Sequence, residues 1–154
     1  LLCLKHRGFS YFSKKVKMDK TRILEMSNSI CKNTLMETLE IDFIDVGEDF
    51  LVARMPVTKK VHQPDGVLHG GATAALAESV GSAAVFILNR DPSIMVRGIE
   101  ITANHVKSIS SGYVFANAKA IHKGKTIQLW EIRVTDEEDQ LISLCKLTTY
   151  SRQK

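Results

Sequence analysis

The chain has 154 residues, of which 44% are hydrophobic and 25% charged, with nine glycines and three prolines. This composition suits one folded domain and excludes collagen-like and low-complexity classes. Residues 1–17 contain five Lys or Arg and no acid, while the remaining 16 Lys or Arg are set against 17 Asp or Glu. Because residues 18–154 therefore have a net charge of −1, the overall charge of +4 is weak support for nucleic-acid binding.

The first 17 residues differ from the rest of the chain. They lack an initiating Met, whereas Met18 is a plausible natural start. Their basic, serine-containing composition fits a leader of the transit type or a segment derived from cloning or upstream read-through. We expect residues 1–17 to be disordered and residues 18–154 to form a single domain.

The next predicted elements are helical and then extended. Apolar residues at mixed helical spacings over 21–37 predict one short helix or two. Alternation from Leu39 to Phe43 predicts a strand, which turns back into a second strand over 50–55 to form a hairpin. A loop over 56–69 then leads into a helix over 70–88.

Four strand-like segments follow this helix, and they occupy 95–107, 113–121, 126–135 and 141–150. Two strands, one long helix and four strands predict an α+β fold with an antiparallel sheet. The helix is long enough to cross a membrane, but Glu78 and its small polar residues favour a core helix wrapped by the sheet. We therefore expect no membrane association.

The cysteines, Cys3, Cys31 and Cys145, are widely separated. Their spacing fits neither a metal site nor a redox pair. We therefore expect unbonded thiols, no bound metal and a cytoplasmic protein.

A single carboxylate, Glu78, lies midway along the apolar helix, with Ser82 one turn later on the same face. It either faces solvent on a thin polar stripe or lies in a pocket as a base or nucleophile. The helix begins at "HGGA", where the backbone amides after His69 suit an oxyanion or a polarised carbonyl oxygen. Ordinary turn chemistry is the alternative explanation for these glycines.

The spacing between Gly70 and Glu78 has a consequence for assembly. At about 1.5 Å rise per residue, the two lie roughly 12 Å apart along the helix axis. They can hardly contact one carbonyl group from a single helix. If two copies pack with antiparallel helices, Gly70 of one can approach Glu78 of the other, so the sequence predicts an obligate dimer with two shared sites.

A basic segment extends from Ile101 to Trp130, where four lysines and no acids occur. It is either a solvated strand face or a site for an anionic ligand with several phosphates. The candidate ligand-binding residues in it are His105, Lys107, His122, Lys123, Gly124 and Lys125.

The stretch "QPDGVLHGGATAALAESVGS" over 63–82 resembles the signature of hotdog-fold acyl-CoA thioesterases. It is most similar to the branch of the Arthrobacter-type 4-hydroxybenzoyl-CoA and 1,4-dihydroxy-2-naphthoyl-CoA thioesterases. The resemblance begins at about Lys32 and runs through "KNTLMETLEIDF", "NHVKS" and "HKGKTIQLWEI" to the end of the chain, so it includes none of the first 17 residues. It implies a long helix wrapped by a curved antiparallel sheet, active sites at a homodimer interface, and pairing of dimers into homotetramers.

The resemblance also implies residue roles. Glu78 would be the catalytic carboxylate, as nucleophile or general base, and the Gly70 amide of the other subunit would polarise the thioester carbonyl. Gln63 and His69 would position the thioester, and Ser82 would hold the hydrolytic water. Hydrolysis of an acyl thioester to acid and thiol would need no metal or redox cofactor.

Coenzyme A would lie against Lys107 and the turn over 122–126. Glutamate at position 78, where phenylacetyl-CoA thioesterase relatives carry aspartate, favours aromatic acyl groups. The choice between acyl-CoA and acyl-carrier-protein substrates stays open, as does a role in menaquinone synthesis or in proofreading of misloaded carrier proteins. The alternatives are an acyl-CoA or carrier-protein binding module without turnover and, ranked last, a nucleic-acid-binding protein.

Overall fold

The computed structural model describes residues 19–89, 91 and 93–154, so the predicted leader over 1–17 lies outside the described residues. The helices are α1 (Lys20–Ser29), α2 (Leu35–Thr38), a short 3-10 helix (Lys59–Val61) and α3 (Gly70–Asn89). The strands are β1 (Asp42–Val46), β2 (Phe50–Pro56), β3 (Ile94–His105), β4 (Tyr113–Lys123), β5 (Ile127–Thr135) and β6 (Leu141–Gln153). The region predicted as one helix or two therefore forms two, and the predicted loop over 56–69 contains the 3-10 helix.

Local side-chain hydrogen bonds explain where the first helices begin. Asp19 Oδ1 accepts from the amide of Arg22 at 3.1 Å, and Thr34 Oγ1 accepts from the amide of Met36 at 3.2 Å. These are N-cap contacts, which satisfy amides that have no partner within the helix. The Asn28 side chain then bonds both the amide and the carbonyl of Phe43, so α1 is held against β1.

The six strands form one antiparallel sheet in the order β1-β2-β4-β5-β6-β3. The edges of the sheet are therefore β1, which is short and contacts α1, and β3, which is 12 residues long. A register shift between Gly98 and Glu100 interrupts the pairing of β3 with β6. Shifts of this kind are β-bulges, which bend a strand and increase its twist.

Helix α3 packs against the face of the sheet that carries alternating buried residues. Its length and its mean hydropathy of 1.5 would allow a membrane span by composition alone. Its buried residues instead form one core with the inner residues of the strands, as expected for the central helix of a folded domain. The predicted α+β arrangement of a core helix against an antiparallel sheet is confirmed. The buried residues of α3 are Thr73, Leu76, Ala77, Val80, Gly81, Ala84 and Val85.

Candidate active site

A cavity of about 270 Å³ opens at the N-terminus of α3, between the loop over 56–69 and the end of β3. Four of the predicted site residues line it, although they come from separate parts of the sequence. They are Gln63, Gly70, His105 and Lys107. The fold therefore brings the helix entry together with the beginning of the basic segment.

The first turn of α3 leaves one backbone amide available. The amide of Gly71 donates to His69 Nδ1 at 2.8 Å, and the amides of Ala72 and Thr73 donate to the His69 carbonyl at 3.0 and 3.1 Å. Among the contacts of the described residues, the Gly70 amide has no protein acceptor. Because Gly70 also lines the cavity, its N–H is a candidate donor to an oxygen atom of a ligand.

A small turn positions Gln63, which also lines this cavity. The backbone N–H of Gln63 donates to the backbone carbonyl of Val67 at 2.9 Å. The backbone N–H of Gly66 donates to the backbone carbonyl of Gln63 at 3.0 Å. Gly66 has a φ of +83°, which is the region that favours glycine. The side-chain Nε2 of Gln63 donates to Asp65 Oδ2 at 3.0 Å, which leaves Oε1 of the same amide for the cavity.

Lys107 is held by two side chains of the β5–β6 turn, which comprises residues 136–140. Its Nζ lies 2.8 Å from Asp136 Oδ2 and 2.6 Å from Gln140 Oε1. The hydrogen bond from Lys107 lowers the pKa of Asp136 below its ordinary value, against the opposing effect of burial. The side chain of Asp136 is only 6% exposed, whereas that of Lys107 is 44% exposed.

Glu78 lies outside this cavity, as its spacing from Gly70 predicted. Its side chain is exposed on the described chain and passes over β3 at Gly98. A Cβ atom at position 98 would lie 2.7 Å from Glu78 Oε1. The absence of a side chain at Gly98 therefore makes room for the carboxylate.

Ser82 lies one turn beyond Glu78 and lines a second, mainly apolar cavity of about 370 Å³. This cavity lies between α3 and the segment formed by α1, α2 and β1. Its other lining residues are Ser27, Ile30, Cys31, Met36, Phe43, Ser79, Ala83, Phe86, Ile87 and Val96. The hydroxyl of Ser82 is thus next to an apolar pocket rather than to Gly70.

The turn over 122–126 lies far from the first cavity within one chain. It joins β4 to β5, and the start of β5 pairs with Tyr150 near the end of β6. The first cavity instead contains Ile142, near the start of β6. Eight residues of strand separate these points by roughly 26 Å. One chain therefore does not bring His122, Lys123, Gly124 and Lys125 together with His105 and Lys107.

The sequence reasoning missed three residues that position the candidate site. Asp65 contacts Gln63, Gly98 accommodates Glu78, and Asp136 holds Lys107. The proximity of Asp65 to Gln63 in the sequence was the one available signal, because the other two contacts depend on strand register. Within the part of the chain that the structure describes, no group of three His, Cys, Asp or Glu side chains could hold a metal ion.

The fold and the site together define a class of α+β protein. In this class, the amide at the start of the core helix, here that of Gly70, can polarise a carbonyl group. A carboxylate, here that of Glu78, lies farther along the same helix. The profile of the thioesterase superfamily matches residues 65–143. The proofreading thioesterase EntH of Cronobacter turicensis is 42% identical over 126 residues, which cover 82% of this chain and 91% of that protein. The chain belongs to the thioesterase superfamily.

Two solved structures agree with this assignment. Thioesterase HI1161 of Haemophilus influenzae is 39% identical and superposes with a TM-score of 0.81, covering 84% of this chain and 90% of that one. A mutant of thioesterase PA1618 of Pseudomonas aeruginosa is 38% identical with a TM-score of 0.82, covering 85% and 94%. The predicted hotdog fold and the predicted thioesterase class are confirmed.

Proposed function

We propose that the protein hydrolyses acyl-CoA thioesters at sites shared between two copies of the chain. The observation that carries this proposal is the Gly70 amide, which has no protein acceptor among the described residues and lines a cavity with Gln63. Glu78, the candidate nucleophile or base, lies roughly 12 Å farther along the same helix. The partner's Glu78 would complete the cavity.

In the proposed reaction, the thioester carbonyl oxygen accepts a hydrogen bond from the Gly70 amide. Glu78 either attacks the carbonyl carbon to give an anhydride, which water then hydrolyses, or removes a proton from an attacking water. In both cases the C–S bond breaks and coenzyme A leaves as the thiol. Gln63 and His69 would position the thioester and Ser82 the water, so this chemistry needs no metal or redox cofactor.

The exposed edge of the sheet favours the shared arrangement. An unpaired strand edge is a template for pairing with another chain, and β3 is a long edge that includes Ile99, which is 57% exposed. Antiparallel pairing of two β3 strands would bring the end of one near the start of the other. We propose a cytoplasmic homodimer that pairs into a tetramer. The same pairing would bring the 122–126 turn of the partner toward Lys107, so that both could hold coenzyme A.

We propose an aromatic acyl group, as in the Arthrobacter-type branch that the sequence resembles. The apolar cavity next to Ser82 supports this choice because Phe43 and Phe86 line it and it begins one helical turn from Glu78. A carrier-protein thioester is the alternative substrate.

The test is a substrate panel in which the released thiol is titrated. Benzoyl-CoA, 4-hydroxybenzoyl-CoA and 1,4-dihydroxy-2-naphthoyl-CoA are compared with acetyl-CoA, hexanoyl-CoA and a benzoylated carrier protein. We expect the aromatic CoA esters to be hydrolysed fastest, and Glu78→Gln to lower kcat by about 10²–10⁴-fold while the assembly stays intact. Binding of coenzyme A without thiol release from any substrate would support a binding module and contradict the proposal.

A further inference from the structure

The side chain of Asp136 is a buried carboxylate whose contacts lead to the rim of the first cavity. Its Oδ1 accepts from the amides of Glu138 at 3.2 Å and Gln140 at 2.8 Å, which fixes the carboxylate within the β5–β6 turn. Its Oδ2 is directed at Lys107 Nζ. The carboxylate is therefore a fixed point rather than a mobile surface acid.

The Lys107 ammonium has three N–H groups, and the turn occupies two of them. Asp136 and Gln140 accept these two, at 2.8 and 2.6 Å. The third N–H remains, and Lys107 both lines the cavity and stays partly exposed. A long lysine side chain usually loses rotamer freedom when it binds an anion, but here much of that freedom is already lost.

The backbone next to Lys107 also reaches the helix entry. The amides of Val106 and Lys107 both donate to the Ile142 carbonyl, and the Leu68 amide donates to the Ile109 carbonyl at 2.8 Å. Leu68 immediately precedes His69, so the segment that carries Lys107 forms one wall of the cavity at α3. These hydrogen bonds fix the backbone of Lys107 relative to the start of α3.

We propose that Asp136 is a positioning residue for binding of the thiol carrier. It holds the Lys107 ammonium at the rim so that the remaining N–H meets a phosphate of coenzyme A. This inference rests on the proposed function, because it assumes that the first cavity receives an acyl-CoA. The ligand group that Lys107 would bind is a phosphate of coenzyme A. Asp136 has no proposed role in cleavage of the thioester.

The chain offers a matched control for the test. Glu138 is an exposed acid of the same turn with no side-chain contact to Lys107. The variants Asp136→Asn and Glu138→Gln each remove one negative charge from nearly the same place. If the acids acted only by repelling phosphate, both variants would bind coenzyme A more tightly. If Asp136 positions Lys107, Asp136→Asn alone weakens binding.

The first measurement is the Kd of free coenzyme A, by calorimetry on the full chain. We expect Asp136→Asn to raise it about three- to tenfold, the range for losing one preorganised long side chain, with Glu138→Gln within about 1.5-fold of wild type. Gln140→Ala should raise the Kd of coenzyme A by a smaller factor, because Gln140 is exposed. In a Lys107→Met background, Asp136→Asn should cause no further rise.

The second measurement separates positioning from general damage. The kcat/KM of benzoyl-CoA should fall in Asp136→Asn through KM, while that of benzoyl-N-acetylcysteamine, which has no phosphate, should stay unchanged. Equal losses on both thioesters, or equal effects of Asp136→Asn and Glu138→Gln, would overturn the inference and leave the proposed function intact. A wild-type protein that neither binds coenzyme A nor hydrolyses its esters would overturn both.

Discussion

At the scale of single residues, the position of Glu78 depends on a strand as much as on its own helix. Its carboxylate passes over β3 at Gly98, where a Cβ atom would lie 2.7 Å from Oε1 and 3.3 Å from Leu147 Cδ1. The β-bulge of β3 begins at the same residue. Glycine at position 98 is thus explained by the close approach of the carboxylate rather than by backbone conformation.

Substitution of Gly98 by alanine should displace the carboxylate at little cost in stability, because the end of a flexible side chain can move aside. We expect Gly98→Ala to lower kcat about tenfold or more, since a small misplacement of a reacting group is costly. Steady-state kinetics and thermal unfolding measure the two effects. The double variant with Glu78→Gln should be no slower than Glu78→Gln alone, and a Gly98→Ala protein with unchanged kcat would contradict the predicted role of Glu78.

The Gly70 amide depends on its neighbours in a similar way. The Nδ1 atom of His69 accepts the amide of Gly71, and the His69 carbonyl accepts the amides of Ala72 and Thr73. Among the described residues, only the Gly70 amide of this first turn has no protein acceptor. The sequence predicted free amides at "HGGA", but it did not predict that His69 would accept three of them. The hydrogen bonds of His69 could not be predicted from the sequence, because they depend on the orientation of its imidazole ring relative to the first turn of α3.

At the scale of elements, α3 contacts the sheet closely at Gly81. A Cβ atom there would lie 2.6 Å from Leu147 Cδ2 and 3.4 Å from Ile132 Cδ1, and both side chains are buried in the core. The helix can therefore approach β5 and β6 only because position 81 has no side chain. This contact sets the depth at which Glu78 and Ser82 lie relative to the sheet.

Addition of one methyl group at this contact should destabilise the fold. We expect Gly81→Ala to lower the free energy of unfolding by about 1–3 kcal/mol through overpacking. This loss should appear despite the gain of up to about 1 kcal/mol that alanine brings to a helix. Urea unfolding provides the measurement, with Ser79→Ala in the same helix as the control that should be neutral or slightly stabilising. A Gly81→Ala protein as stable as wild type would contradict the close packing.

The elements themselves were largely predictable because each follows a regular pattern of apolar residues. The helix predicted over 70–88 is observed at Gly70–Asn89, and the four strands after it end within three residues of their predicted bounds. Strand order was not predictable, since periodicity does not report which strands pair. The contact of Lys107 with Asp136 follows from that order. The sequence therefore offered an anionic-ligand site as one of two explanations of the basic segment, but it did not reveal the turn that holds Lys107.

At the scale of the whole molecule, the two sheet edges differ in a way that favours one mode of pairing. The edge strand β1 has five residues and is held against α1 through Asn28. The edge strand β3 has 12 residues, and Ile99 on it is 57% exposed. Natural proteins rarely leave a long edge strand unprotected, so β3 is the edge at which a second copy is expected.

A shared site can be tested by complementation between two inactive variants. One variant, Glu78→Gln, lacks the carboxylate half of the site, and the other, Gln63→Ala combined with His69→Ala, is altered in the half at the start of α3, where Gln63 lines the cavity and His69 accepts the Gly71 amide. If each site takes Glu78 from one chain and the cavity from the other, random exchange at a 1:1 ratio gives about a quarter of the sites with both halves intact. The same fraction holds whether dimers or tetramers form.

We therefore expect thiol release at about a quarter of the wild-type rate after the two variants are unfolded together and refolded, because a quarter of the sites are then intact. Each variant refolded alone serves as the control and should remain nearly inactive. If one chain supplied both halves, every site in the mixture would still carry a defect. The mixture would then stay inactive although mixed assemblies, detected by two different affinity tags, had formed. Recovery of activity on mixing would thus establish that Glu78 and the Gly70 cavity act across the interface.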